Sequence, residues 1–258
     1  MRTLLLALIV FSPMVLSAQL LELGVFKFDT YRNASTSHYT SMYDFSTLFS
    51  DSHSYYDLGF IGDNYQRIRI KFISVIRNSN QPEEYFIYGK SNVLDNICDF
   101  QGLITITEVK IVEDMHYGVD DIWQDSMIVE QGVIIATYHL FENPSQKHVG
   151  VFKGNLISGW YRKDDNTIIY DNIEWQSDRW CNNQFVGTWT EYQKNISKKC
   201  NWGDSRIPGT SRTLDIGGPY FWPSDEYHKQ GWANYAKAWD FPEWDERARE
   251  LEQKKWWE

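Results

Sequence analysis

The sequence predicts a mainly β protein, an antiparallel barrel-like domain of eight or nine strands that carries a C-terminal, aromatic-rich, partly helical appendage. Three observations point there. Phe-x-Gly occurs four times, at Phe60–Gly62, Phe100–Gly102, Phe152–Gly154 and Phe185–Gly187. Composition alone would give about one. Phe anchors a core, and a Gly two places on lies on the same strand face, where it leaves room for a bend or a second backbone. Short runs of β-branched and aromatic residues alternate with turn signals, and no βα alternation is visible, which disfavours a doubly wound fold. After Gly203 the texture changes: seven of the twelve Trp lie beyond residue 200.

Taken in order, residues 1–18 read as a secretory signal. Arg2 supplies the positive start, Leu4 to Phe11 the apolar run, and Val15-Leu16-Ser17-Ala18 the small-residue exit, with cleavage before Gln19. The run is too short to span a bilayer. The expected product is exported, periplasmic or extracellular, and not membrane-spanning. No Cys follows the cleavage point, so no lipid anchor is expected there.

The barrel is assigned to 19–203. A first strand is read over 19–30, and residues 31–58, rich in Ser, Thr, Tyr and Asp, as a long loop with one helical turn near Tyr43 to Phe49. Arg67 to Phe72 alternates apolar and charged residues at period two. Further strands are read at 84–89, 100–112, 127–141 (with a bulge at Gly132), 149–162, 167–175 and 184–192. The tail covers 204–258. Its Pro and Gly keep 204–223 irregular. Ser224 is placed to cap a helix through Trp239, and Pro242 to start a second with Trp244, Ala248, Leu251 and Lys255 on one face.

The formal net charge is −10, and −11 once Arg2 is removed with the signal (24 basic against 35 acidic residues). An acidic chain with no basic stripe repels phosphate backbones, so nucleic acid is not an expected partner. Cys98, Cys181 and Cys200 are an odd set. A Cys181–Cys200 disulfide with Cys98 buried and free is one reading, and three reduced thiols is the other.

Chemistry is sparse. Glu113, Asp114, Asp120, Asp121 and Asp125 form an acidic loop without EF-hand spacing, and the six His show no zinc spacing, so neither a metal nor a cofactor is assigned. No nucleophile elbow, Walker or dinucleotide motif appears. Aromatics beside Asp and Asn suit sugar stacking. Trp160, Trp175, Trp180 and Trp189 lie in or beside the late strands, and the competing reading is that these Trp fill the core. The candidate ligand-binding residues are Trp160, Tyr161, Asn183, Trp189 and Arg206. The leading expectation is a non-enzymatic protein binding a small molecule, glycan or protein partner. A glycan-directed hydrolase with acids converging in a cleft is the alternative, and an adhesion component docking through its aromatic tail is the third.

Phe152-Lys153-Gly154, Tyr170-Asp171-Asn172-Ile173, Asn182 to Trp189 and Cys200 to Pro208 resemble an uncharacterised secreted β-rich family of Bacteroidetes bacteria. The resemblance covers about residues 60–235. It implies export from a Gram-negative cell and carries no catalytic residues. Phe185-x-Gly187-x-Trp189 resembles the Gly-x-Trp strand of lipocalin-like (calycin) barrels, although that motif lies near the N-terminus there and late here.

Overall fold

The computed structural model describes residues 31–50, 58–240 and 242–258. The signal and the strand expected over 19–30 lie outside them. Nine antiparallel strands follow one path, β3-β2-β11-β10-β8-β7-β6-β5-β4. They are β2 (Leu58–Ile61), β3 (Gln66–Arg67), β4 (Arg69–Arg77), β5 (Glu84–Val93), β6 (Asn96–Val112), β7 (Ile128–Glu142), β8 (Gly150–Lys163), β10 (Asn182–Glu191) and β11 (Ser197–Asp204). Two short strands attach beside the path, β1 (Tyr31–Asn33) on β6 and β9 (Ile168–Tyr170) on β8.

The path's two ends, β3 and β4, are consecutive in the chain with only Ile68 between them. The sheet therefore curls until its edges meet at that residue, whose N–H donates to Gly59 O at 3.0 Å. Register shifts at Phe72/Ser74, Ile106/Glu108, Ile128/Glu130 and Asn182/Phe185 supply local twist for the curl. The bulge expected at Gly132 is absent. That residue pairs in register with Ile111 and Trp160, and its missing side chain makes room for the Trp160 ring.

Period two accounts for which side chains turn inward. Along β5, Tyr85 and Ile87 are buried while Phe86 and Tyr88 face out. The Phe of all four Phe-x-Gly units is buried. Gly62 has φ +78° in the β2–β3 turn, a conformation open to glycine. Gly154 and Gly187 face each other across β8 and β10, and the Tyr138 hydroxyl lies 2.6 and 2.5 Å from where their Cβ atoms would be. Rings fill the space behind them. Phe185 stacks on Trp202 at 4.6 Å and 13°, and Tyr138 meets both rings at 5.3 and 5.1 Å.

The expected long loop holds more structure than its composition suggests. Helix α1 (Thr36–Met42) is capped by Ser35, whose side chain accepts from His38 N. A 3-10 turn at Ser46–Leu48 then drives Phe45, Leu48 and Phe49 into one end of the barrel against Trp160 and Tyr85. At the other end, buried Glu142 accepts from Ser91 Oγ, Gly150 N and Trp189 Nε1. Burial raises its pKa, and those three donors only partly oppose the rise.

The tail packs on β2. Leu58 and Phe60 share a buried cluster with Ile207, Leu214, Phe221, Trp232 and Tyr235. The helix expected from Ser224 is a 3-10 segment, Asp225–Gln230, stopped by Gly231 at φ +92°, and α2 (Ala233–Trp239) follows. The second tail helix, α3 (Glu246–Gln253), starts after Asp245, whose carboxylate accepts from Ala248 N at 2.9 Å, rather than at Pro242. On the expected apolar face only Ala248 is buried, and Leu251 is 52 % exposed. The residue that anchors α3 is instead Glu252, bound to Arg67 by two bonds of 2.8 and 2.7 Å.

The expected Cys181–Cys200 disulfide is not formed. Both thiols are free and buried. Asn182 pairs with Asp204 whereas Cys200 pairs with Gly187, so the two sulfurs sit several rungs apart along the β10–β11 ladder. At about 3.3 Å per residue that separation exceeds the reach of a disulfide, about 7 Å between Cα atoms.

Candidate functional site

Two concavities matter. The first is a cavity of about 60 Å³ at the barrel end beneath the 3-10 turn, lined by Phe49, Ile70, Lys71, Asn183, Trp202 and Asp204 among others. Burial, helped by the charge of Lys255, lowers the Lys71 pKa to about 8, with Asp204 opposing. Its ammonium lies 4.1 Å from the Trp257 ring centre. Asp204 accepts from Tyr170 Oη at 2.6 Å. Such a volume holds a few waters at most and no sugar ring.

The second is a groove of about 620 Å³ outside the barrel. The β10–β11 ladder creates it: Asn182 opposite Asp204 brings the chain entering β10 and the chain leaving β11 out at the same end, side by side. One wall is the 174–181 segment with Glu174, Arg179 and Trp180. The other is the 206–215 segment with Arg206, Thr210 and Arg212.

Each wall is held from behind. Asn182 Nδ2 donates to Asp171 O at 2.9 Å, and short turns link Ser177 N to Glu174 O at 2.8 Å and Trp180 N to Ser177 O at 3.1 Å. Glu174 also binds Ser177 Oγ and the His116 ring, 3.2 Å from Nδ1. The opposite edge of that ring lies 4.0 Å from Asp171. Burial raises the Asp171 pKa, the Glu174 charge adds to the rise, and the Ile173 N–H and His116 oppose it. On the second wall, Arg206 donates to Asp215 and to Gly218 O, Asn201 Nδ2 donates to Pro208 O at 2.8 Å, and Thr210 Oγ1 donates to Ile207 O at 2.6 Å. The Cys181 thiol joins the walls by donating to Arg206 O at 3.2 Å.

The five residues expected from sequence do not converge. Trp160 is fully buried under Tyr39 and Phe45. Tyr161 points to the opposite face and packs with Ile128 and Ile173. Trp189 closes the far end of the barrel through Glu142. Asn183 lines the small cavity, where its side chain accepts from Ser158 Oγ and donates to Leu48 O, tying the 3-10 turn to the wall. Arg206 alone lines the groove. Of the four Trp weighed for sugar stacking, Trp180 lines it, while Glu174, Arg179 and Arg212 escaped the sequence reading. Their signal was a charged, aromatic or Gly/Pro-rich segment on either side of the β10–β11 pair, recognisable only once that pairing is known.

Among the described residues no group of three or more His, Cys, Asp or Glu is arranged to hold a metal ion. Compared with protein-family models, with curated proteins and with solved structures, the chain matches none.

Proposed function

We propose that this is an exported binding protein that takes a glycan unit or similar polyhydroxylated small molecule in the groove between segments 174–181 and 206–215. The groove itself carries the reading. Its volume falls in the range of small-ligand sites. Its lining combines the aromatic ring of Trp180 with planar hydrogen-bonding side chains, the combination that grips a sugar's apolar face and hydroxyls together. The barrel interior, packed with rings, offers no comparable space among the described residues.

Titration of a saccharide panel into the protein, followed by calorimetry and Trp emission, tests this. At least one sugar is expected to bind, and Trp180→Ala to weaken it about tenfold, in line with the loss of one stacking contact. Binding that is indifferent to Trp180→Ala would remove the groove from consideration. Export is checked by N-terminal sequencing of the protein from its host, which is expected to begin at Gln19.

One observation favours hydrolysis as the second reading. Glu174 lines the groove, and Asp171, whose pKa burial raises, stands behind it across the His116 ring, so a second carboxyl group lies within one side chain of the groove's own. Release of reducing ends from a bound glycan, abolished by Glu174→Gln with binding retained, would establish it over simple binding.

A further inference from the structure

We infer that the groove selects an acidic saccharide, one carrying a carboxylate or sulfate on its sugar units. The inference rests on the groove being the sugar site. Six charged side chains line it, the acids Glu174, Asp178 and Asp215 and the cations Arg179, Arg206 and Arg212. Three of the six are already engaged. Asp215 is held by Arg206 and by the N–H groups of Gly217 and Trp222, and Glu174 by His116 and Ser177.

That leaves Asp178, Arg179 and Arg212, all exposed and none in an ion pair among the described residues. Of the charged side chains that the groove leaves exposed, two are cations and one is an acid, in a chain whose net charge is −10. Arg179 and Arg212 stand on opposite walls of this groove, and the guanidinium fork is the side-chain group that grips carboxylate and sulfate oxygens most strongly.

Two further features point the same way. Arg179 adopts φ +67°, a left-handed backbone that non-glycine residues seldom take. That strain holds at the groove's rim a side chain with no ionic partner among the described residues, and strained residues of this kind concentrate where ligands are gripped. Beneath them, the Arg206 guanidinium is buried, with its Nε–H unmatched by any acceptor among the described residues. Trp180 follows Arg179 directly, so one short segment offers both a ring for the sugar face and a cation for its acid group.

Calorimetry at low ionic strength separates the possibilities, with uronate, sulfated and neutral disaccharides of matched linkage and sodium sulfate as probes. Arg179→Gln and Arg212→Gln change exposed side chains, and an unchanged melting temperature confirms that each variant folds. The acidic disaccharides are expected to bind about tenfold or more tightly than the neutral one. Each Gln variant is expected to erase most of that margin, weakening the acidic disaccharides far more than the neutral one. Equal binding of acidic and neutral sugars, insensitive to both variants, would overturn the charge selection while leaving the groove a sugar site. Sulfate binding as tightly as the disaccharides would overturn it in favour of a bare anion site. No binding of any disaccharide would overturn both this inference and the reading beneath it.

Discussion

Glu252→Ala should destabilise the whole protein although it alters a residue only six positions before Glu258. Its carboxylate grips Arg67 in a two-bond pair whose side chains are only 9 and 8 % exposed, and it also accepts from Asn234. Arg67 sits at the barrel seam, with its guanidinium 5.3 Å from the Trp232 and Tyr235 ring centres. Truncating Glu252 leaves that buried cation without its counter-ion. Breaking one side of a buried pair costs about 3–5 kcal/mol. At about 2–4 °C per kcal/mol for a chain of this size, the melting temperature should fall on the order of 10 °C. Thermal melts followed by Trp emission measure it.

The control is Arg67→Met with Glu252→Leu, which removes both charges and fills the space. It should recover most of the loss, because the pair's desolvation cost disappears with it. The pH dependence supplies a second check. Burial alone would raise the Glu252 pKa, but the bonds and charge of Arg67, with Asn234 and Arg69, outweigh it and hold the group below its ordinary value. A depressed carboxylate contributes stability that is full above its unfolded pKa and is lost as pH falls through the folded one. Glu252→Gln should therefore flatten the acid limb of the stability profile. A melting temperature within 2 °C (about 1 kcal/mol) of wild type for Glu252→Ala, or a double variant as unstable as the sum of the singles, would refute the reasoning.

Other outcomes follow from the same geometry. Tyr138→Phe should raise stability by about 1 kcal/mol in urea melts, because it removes a fully buried hydroxyl that has no hydrogen-bond partner among the described residues; a loss of similar size would mean that the hydroxyl is satisfied. Glu142 has a raised pKa, so its contribution is present below the ordinary glutamate range and is lost as pH rises through the folded value. Glu142→Gln should flatten that decline, and an unchanged slope would count against it. Burial pushes the Cys98 thiol up to about 11 and raises Cys181 and Cys200 as well. A thiol reagent at neutral pH should find none of the three in the native protein and all three after denaturation; one thiol after denaturation would mean that a disulfide had formed. Deleting residues 224–258 strips Trp232 and Tyr235 from Leu58 and Phe60, so it should unfold the barrel. A folded remnant would instead favour a detachable docking tail.

By itself the sequence determined the class of the fold and most of its wall. Period two in 84–89 and the Phe-x-Gly units are local signals that report which face of a strand is buried, whereas the same period in Arg67 to Phe72, read as a strand with a charged outer face, did not: the run divides at Ile68 between β3 and β4, and the tail covers Arg67 and Lys71. Tyr138 shows where that ends: the residue that makes the Gly154–Gly187 pairing necessary lies on another strand, and no local pattern names it. β11 escaped the sequence reading because Ser197–Asp204 shows no alternation; its partners on β10 and β2 make it a strand. The tail's anchor escaped for the same reason. An apolar face predicted Leu251, and a distant Arg67 selected Glu252. The groove is the extreme case. Arg179 and Arg212 stand 33 residues apart and line one space only because Asn182 pairs with Asp204. Burial and strand register are long-range quantities set by the curled sheet as a whole, so the tertiary structure alone decided which Trp were core and which charges were left facing solvent together.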